Sequence, residues 1–224
     1  MRSIVRIAST VMVCLGIVAA AWGQRMAQPP PMMGEFHPVV GTGAQYEVNI
    51  KGEKSVWTYS VVGKESVQGQ DAYWLEMRME GGTANGMVMK QLLVTSAGKP
   101  EIKRMIMQTP GQAPMEMPMT MMSMMKGKNK ETSEGMGEKV GTEPVIVPAG
   151  THLCAHYRKS GPKASEHWIS SSVPPYGLVK MTSGDVSMVL VKTLTNESSH
   201  IDGEPQKMPC MGGMMPKGEW SDEK

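Results

Sequence analysis

The stretch SVWTYSVVGKESVQGQDAYWLEMRME, residues 55–80, decides the fold class. Apolar and polar side chains alternate along residues 55–61, whereas residues 72–79 place apolar side chains on both faces of an extended chain. The dipeptide Gly69-Gln70 separates the two runs and predicts the turn of an antiparallel hairpin. This combination is typical of neighbouring strands in a sheet that is covered over one part and in contact with water over another.

Further β-rich runs, separated by turn residues, continue on both sides of this hairpin. They are AQYEVNI (44–50), MVMKQLLVTS (87–96), IKRMIMQT (102–109), KVGTEPVIV (139–147), THLCAHYRK (151–159), SEHWISSSV (165–173), YGLVKMTS (176–183) and VSMVLVKTLT (186–195). We therefore expect a mainly β (α+β) domain over residues 39–200, with about ten antiparallel strands. A sandwich, a closed barrel and an open curved sheet all fit this pattern, and the mixed faces favour the curved sheet, an unclosed half-barrel.

The two ends of the chain differ in composition from this domain. Arg2 and Arg6 precede an apolar run that ends in the small-x-small pattern Ala21-Trp22-Gly23. Because the run is shorter than the roughly twenty residues of a membrane span, residues 1–23 are predicted to be a cleaved signal peptide, with export to the periplasm or out of the cell. Residues 24–38, rich in proline and methionine, are expected to be a linker, and residues 201–224, rich in proline and glycine, a disordered tail.

Charge and motifs exclude several classes of function. The chain has 23 basic and 21 acidic residues, and the predicted signal carries two arginines and no acid, so the mature chain is formally neutral. Without a basic surplus to neutralise phosphates, a nucleic-acid partner is not expected. The sequence contains no G-x-S-x-G elbow, H-E-x-x-H helix, phosphate loop or C-x-x-C pair. We therefore expect neither an enzyme nor a bound cofactor, and no membrane span after signal cleavage.

The densest local feature is PMEMPMTMMSMMKGKNK, residues 114–130, within a Met-rich insertion and polar loop that is predicted over residues 110–138. Pro114 and Pro118 disfavour a central strand. We expect a short helix or loop over residues 118–126 on the open, concave side of the sheet, because a helix of this length is too short to stand alone. The methionines of this segment are Met115, Met117, Met119, Met121, Met122, Met124 and Met125.

Three roles remain open for these methionines. In a chain with one Phe and 25 Met, flexible thioethers can fill the space that aromatic rings usually take. The same adaptability suits a ligand surface for a lipid or a lipidated partner. The M-x-M spacing of Met115, Met117 and Met119 also suits the capture of a soft metal ion such as Cu(I).

A second feature is the predicted strand that carries His152, Cys154 and His156 on one side. Side chains two residues apart lie about 7 Å from each other and can converge on one ion. They offer at best half of a zinc or copper site, which His167 on the neighbouring strand could complete. The alternative is an ordinary strand face with a buried thiol. For Cys154 and Cys210, a disulfide and two free thiols both remain open.

Three segments in the second half of the chain resemble a known family. They are VPAGTHLC (147–154), WIS (168–170) and VPPYGLVKM (173–181). Over residues 140–195 their order is similar to that of exported proteins of the LolA/LolB-like group. The resemblance implies an unclosed antiparallel barrel with helices against its concave face, around an apolar cavity that takes up the acyl chains of lipoproteins in the carriers.

These observations predict a non-catalytic exported protein with an apolar hollow for a lipid or lipidated partner, covered by Met115 to Met125. One alternative is a Cu(I)-binding protein that uses Met115, Met117, Met119, His152, Cys154 and His156. The other is a structural envelope protein without a small ligand.

Overall fold

The computed structural model describes residues 34–96, 99–118, 120, 135–162 and 164–207. Within these residues the chain forms twelve strands. They are β1 Thr42–Ile50, β2 Glu53–Val67, β3 Gln70–Glu80, β4 Met87–Ser96, β5 Lys99–Gln108, β6 Met115–Glu116, β7 Glu138–Val147, β8 Gly150–Lys159, β9 Ser165–Ile169, β10 Leu178–Ser183, β11 Val186–Thr195 and β12 Gln206–Lys207. A single 3-10 turn, Gly82–Ala84, connects β3 to β4.

All of these strands belong to one sheet, in the order β12-β6-β5-β4-β3-β2-β1-β11-β10-β9-β8-β7. Neighbouring strands are antiparallel except β6 and β12, which run parallel. In the part of the chain that the structure describes, the end strands β7 and β12 do not pair with each other, so the sheet is unclosed. The prediction of a mainly β, antiparallel, unclosed sheet is confirmed.

One detail of that prediction was wrong, because the described residues form twelve strands and not about ten. The additional strands, β6 and β12, have two residues each and are too short to show a periodicity in the sequence. Of the predicted helix, residues 118–126, only Pro118 and Thr120 lie within the described residues. None of the helices among the described residues has the length and hydropathy needed to cross a membrane.

Register shifts at five strand pairs bend the sheet. One lies between Val61 and Gly63 of β2, and another between Lys139 and Gly141 of β7. An extra residue on one strand of a pair increases local twist and bending. The buried side chains of the inner face include Ala44, Tyr46, Val48, Trp57, Tyr59, Val61, Leu75, Met77, Met79, Met181, Met188 and Leu190. They form most of the main core.

The residues just before β1 also belong to this core. Phe36 is 6% exposed, and its ring centroid lies 5.2 Å from that of Tyr176. The backbone N–H of His37 donates to the carbonyl of Pro175 at 2.8 Å. The predicted linker, residues 24–38, therefore does not extend through residues 36 and 37, and its residues 24–33 lie outside the described part of the chain.

The outer face of β3 to β5 is covered by residues 197–207, here called the C-terminal strap. Ile201 packs against a second cluster of buried side chains, which are Ala72, Trp74, Leu92, Val94 and Ile106. At its end, the strap forms β12 against β6. The prediction of a disordered tail from residue 201 therefore does not hold for residues 201–207, and residues 208–224 lie outside the described residues.

Candidate functional site

Four strands that are adjacent in the sheet each bring two methionines, spaced two residues apart. The pairs are Met77 and Met79 on β3, Met87 and Met89 on β4, Met105 and Met107 on β5, and Met115 and Met117 at β6. Residues two apart on a strand point to the same face. We call these eight residues the methionine face.

The strand register joins these pairs across the sheet. Met77 lies opposite Met89, Met89 opposite Met107, and Met107 opposite Met115, so that these four residues form one row across β3 to β6. Met79 lies opposite Met87 in the next row. Directly opposite residues have Cβ atoms about 5 Å apart. The thioethers therefore form a continuous surface, although they come from segments that are far apart in the sequence.

Burial along the methionine face is graded. Met77 and Met79 are 4% and 2% exposed, and they belong to the main core. Met89, Met107 and Met115 are half-buried. The row is therefore packed at β3 and accessible from β4 to β6.

A separate small cluster extends this surface. Met105 and Met117, each 8% exposed, pack together against Met89, Ile102 and Met107. The backbone N–H of Met117 donates to the carbonyl of Met105 at 2.9 Å, which fixes the chain after β6 against β5.

The charged residues at alternate positions of the same strands lie on the opposite face. Arg104 donates to both carboxylate oxygens of Glu116 at 2.8 and 3.0 Å, and this hydrogen bonding lowers the pKa of Glu116. The ammonium of Lys90 lies 4.8 Å from the centroid of the Trp74 ring. These contacts hold three charges on the outer face, away from the methionine face.

Two polar groups lie within or beside the row. The amide Nε2 of Gln91 donates to Sδ of Met89 at 3.6 Å. Tyr59 lies opposite Met77 on β2, and its hydroxyl is buried without a hydrogen-bond partner among the described residues. Burial raises the pKa of this phenol, which keeps the hydroxyl protonated as a donor.

An opening lies at the end of the inner face, beside Met79. It has a volume of about 60 Å³ and is lined by residues that include Ile50, Trp57, Met79 and Ala84. This volume holds a few water molecules and is too small for an acyl chain. The predicted hollow is not an open cavity at this position, because Trp57 and Met79 occupy the inner side of the sheet.

The structure brings together only part of the predicted site. Met115 and Met117 belong to the methionine face, whereas Met119, Met121, Met122, Met124 and Met125 lie outside the described residues. Six methionines of the face were missed: Met77, Met79, Met87, Met89, Met105 and Met107. Their signal was the repetition of M-x-M in three of the predicted strands, which would have placed each pair on one face.

The histidine and cysteine strand does not assemble the predicted metal site. His156 stacks on Trp168 at 4.4 Å between ring centroids, and its Nδ1 lies 3.2 Å from Oε1 of Glu143. His156 lies opposite Trp168, whereas His167 lies opposite Tyr157, the next residue on β8. His167 therefore points to the face of the sheet opposite to that of His156. The expectation that His167 completes the site was therefore wrong.

Cys154 is a buried free thiol that donates to the carbonyl of His152 at 3.4 Å, and burial raises its pKa. The described residues contain no group of three or more His, Cys, Asp or Glu side chains that could hold a metal ion. Cys210 lies outside the described residues. The predicted Cu(I) ligands are also far apart in the sheet: Met115 is on β6 and His152 and His156 are on β8, and eight strands lie between β6 and β8.

Several solved structures are similar to this chain, and two of them are given below. No protein-family model and no curated protein matches the chain. A "putative exported protein with YMCC-like fold" from Bacteroides fragilis has a TM-score of 0.38 and 12% identity, over 71% of this chain and 99% of that chain. A "putative lipoprotein" from Parabacteroides distasonis has a TM-score of 0.38 and 14% identity, over 72% of this chain and 98% of that chain. Neither description names the LolA/LolB-like group.

Proposed function

We propose that the chain is an exported, non-catalytic protein that binds an apolar ligand, the acyl chain of a lipid or of a lipidated partner, on the methionine face. The observation that carries the proposal is the alignment of four M-x-M pairs on one face of an unclosed sheet. Export is expected from residues 1–23, and the two similar structures are described as an exported protein and a lipoprotein.

The physical basis is the adaptability of thioether side chains. Met has three rotatable bonds and a polarisable sulfur, so a surface of methionines can fit apolar partners of different shapes. Burying about 300 Å² of apolar surface contributes roughly 7 kcal/mol before the costs of association are subtracted. The accessible row at Met89, Met107 and Met115 is where such a ligand would first make contact.

Tyr59 gives the proposed ligand a polar end. A buried hydroxyl without an acceptor costs about 1–3 kcal/mol. Tyr59 is 3% exposed and lies beside the packed Met77, so a carboxylate or ester carbonyl reaches its hydroxyl only when the flexible Met77 side chain moves aside; it would then accept the hydrogen and remove that cost. The proposed ligand is therefore an amphiphile, and not a pure hydrocarbon.

The test compares polar and apolar replacements of the accessible row. Replacing Met89, Met107 and Met115 together by Gln is expected to weaken binding of a fluorescent fatty acid at least tenfold, since about 2 kcal/mol of apolar contact is lost. Replacing the same three residues by Leu keeps the apolar volume and is expected to change binding less than about threefold. Circular dichroism and thermal unfolding of each variant check that the fold is intact.

Tyr59→Phe supplies a second, independent variant. We expect it to weaken binding of the fatty acid without lowering the stability of the unliganded protein, because the hydroxyl has no partner among the described residues. Equal binding by the wild-type protein and the folded Gln variant would contradict the proposal, as would a wild-type protein that ignores the fatty acid.

A further inference from the structure

The geometry points to a second ligand on this surface. We infer that Met89, Met107 and Met115 form a three-thioether site for one soft monovalent cation, Cu(I) or Ag(I). This goes beyond the binding of an apolar ligand, because it depends on the sulfur atoms and not on apolar area.

The three residues lie side by side on adjacent strands. Met107 is opposite Met89 on one side and opposite Met115 on the other. Neighbouring strands are about 4.8 Å apart, so β4 and β6 lie about 10 Å apart with Met107 between them. The flexible side chains of the outer two can turn toward the central one. All three are half-buried, which leaves a path for an ion from solvent.

The chemistry of the row selects the ion. Thioether sulfurs are soft, neutral ligands that favour Cu(I), whereas Mg²⁺ and Ca²⁺ require oxygen ligands. With neutral ligands, the charge of the ion is not compensated, so a monovalent ion costs less to bind in a half-buried site than a divalent ion. Lys90 and Arg104 lie on the opposite face of the sheet, so neither ammonium nor guanidinium occupies the site.

This site differs from the soft-metal site that the sequence predicts. Met115 is the one residue that both share. Along a strand, Met115 and Met117 are about 7 Å apart, whereas opposite residues on neighbouring strands approach to about 5 Å. In addition, Met117 is 8% exposed and packs against Met105, so its thioether is part of the packing.

An anaerobic titration of the purified protein with Cu(I), against a chromogenic Cu(I) chelator, tests the inference. We expect one ion per chain at the site, with an affinity that falls at least tenfold when all three methionines are replaced by Leu. The matched control is the double variant Met181→Leu and Met188→Leu, a buried pair of opposite methionines on β10 and β11. It is expected to retain the wild-type affinity.

Two further measurements separate this inference from the proposed function. The triple Leu variant should still bind the fluorescent fatty acid, since its apolar surface is kept, so loss of Cu(I) alone identifies a sulfur-dependent site. X-ray absorption of the Cu(I) protein should show sulfur ligands only. Unchanged Cu(I) affinity in the triple Leu variant, nitrogen or oxygen ligands, or failure of the wild-type protein to retain Cu(I) would each overturn the inference, whatever the outcome with fatty acid.

Discussion

Replacing Glu76 by Gln should destabilise the protein through the C-terminal strap. Glu76 is 1% exposed and accepts hydrogen bonds from Ser199 Oγ at 2.9 Å and from the backbone N–H of His200 at 3.0 Å. Nδ1 of His200 lies 2.9 Å from Oε1 of Glu76, and an Arg78 nitrogen lies 2.8 Å from Nε2 of the same ring. Because Arg78 can only donate, Nε2 accepts and Nδ1 donates to Glu76.

The size of the effect follows from these contacts. Hydrogen bonds to a charged group contribute about 1.5–3 kcal/mol each, and a buried donor that loses its acceptor costs about 1–3 kcal/mol. Gln keeps one acceptor oxygen but places an NH₂ group against donors from the strap. We expect a loss of about 3 kcal/mol in the free energy of unfolding, which corresponds to a decrease in Tm of about 6–12 °C.

Urea denaturation and limited proteolysis measure this loss. The strap should also become a faster cleavage site, because it is released from the sheet before the core unfolds. Glu47→Gln is the matched control, since its ion pair with Lys54 is exposed and should contribute less than about 1 kcal/mol. A loss for Glu76→Gln no larger than that of the control would refute the argument that these hydrogen bonds hold the strap.

Three other substitutions test separate features. Gly177 has a φ of +73°, and a Cβ at this position would lie 3.0 Å from the carbonyl oxygen of Ser170, whereas a Cβ at Gly184 would meet open space. Gly177→Ala should therefore lower the free energy of unfolding by about 1–2 kcal/mol more than Gly184→Ala. Equal losses of stability in urea denaturation would contradict this. Burial lowers the pKa of His167 from 6.5, so the folded state favours the neutral ring. The stability that this contributes is fully present above pH 6.5 and is lost as the pH falls toward the lower, folded-state pKa, because the unfolded chain takes up a proton first. His167→Gln should therefore make the free energy of unfolding depend less on pH in this range. Hydrogen bonding to Arg104 lowers the pKa of Glu116 from 4.5. The stability that this ion pair contributes is fully present above pH 4.5 and is lost as the pH falls through the lower, folded-state pKa. Glu116→Gln should therefore lower the free energy of unfolding by about 1 kcal/mol near pH 7 and by little at about pH 2.

The long strands could be predicted from the sequence because each carries its own pattern and turn signals. The alternation at residues 55–61 and the turn after Val67 gave β2, β3 and their pairing. β12 could not be found in this way, since two residues have no periodicity and its partner β6 lies about ninety residues earlier in the chain. The strap was missed for the same reason: the partners of Ser199 and His200 lie on β3.

The site depended on register, which single-strand patterns do not fix. A one-residue change in register moves a side chain to the other face of a sheet. This is why His167 lies away from His156, although both are on neighbouring strands. In β5, the register shift opposite Leu92 and Leu93 sets which methionines of β4 and β5 lie opposite each other. Each M-x-M pair indicates that its two methionines share one face of a strand, but only the order and register of the strands show that the four pairs form one surface.

Nuclear magnetic resonance of the protein with carbon-13-labelled methionine methyl groups, titrated with a long-chain fatty acid, tests the binding surface most directly. Assignments come from single Met→Leu variants. The resonances of Met89, Met107 and Met115 are expected to shift in a saturable manner, while those of Met181 and Met188 stay in place. Shifts confined to Met181 and Met188, or no saturable shift in any of the five, would contradict the proposal that the methionine face binds the ligand.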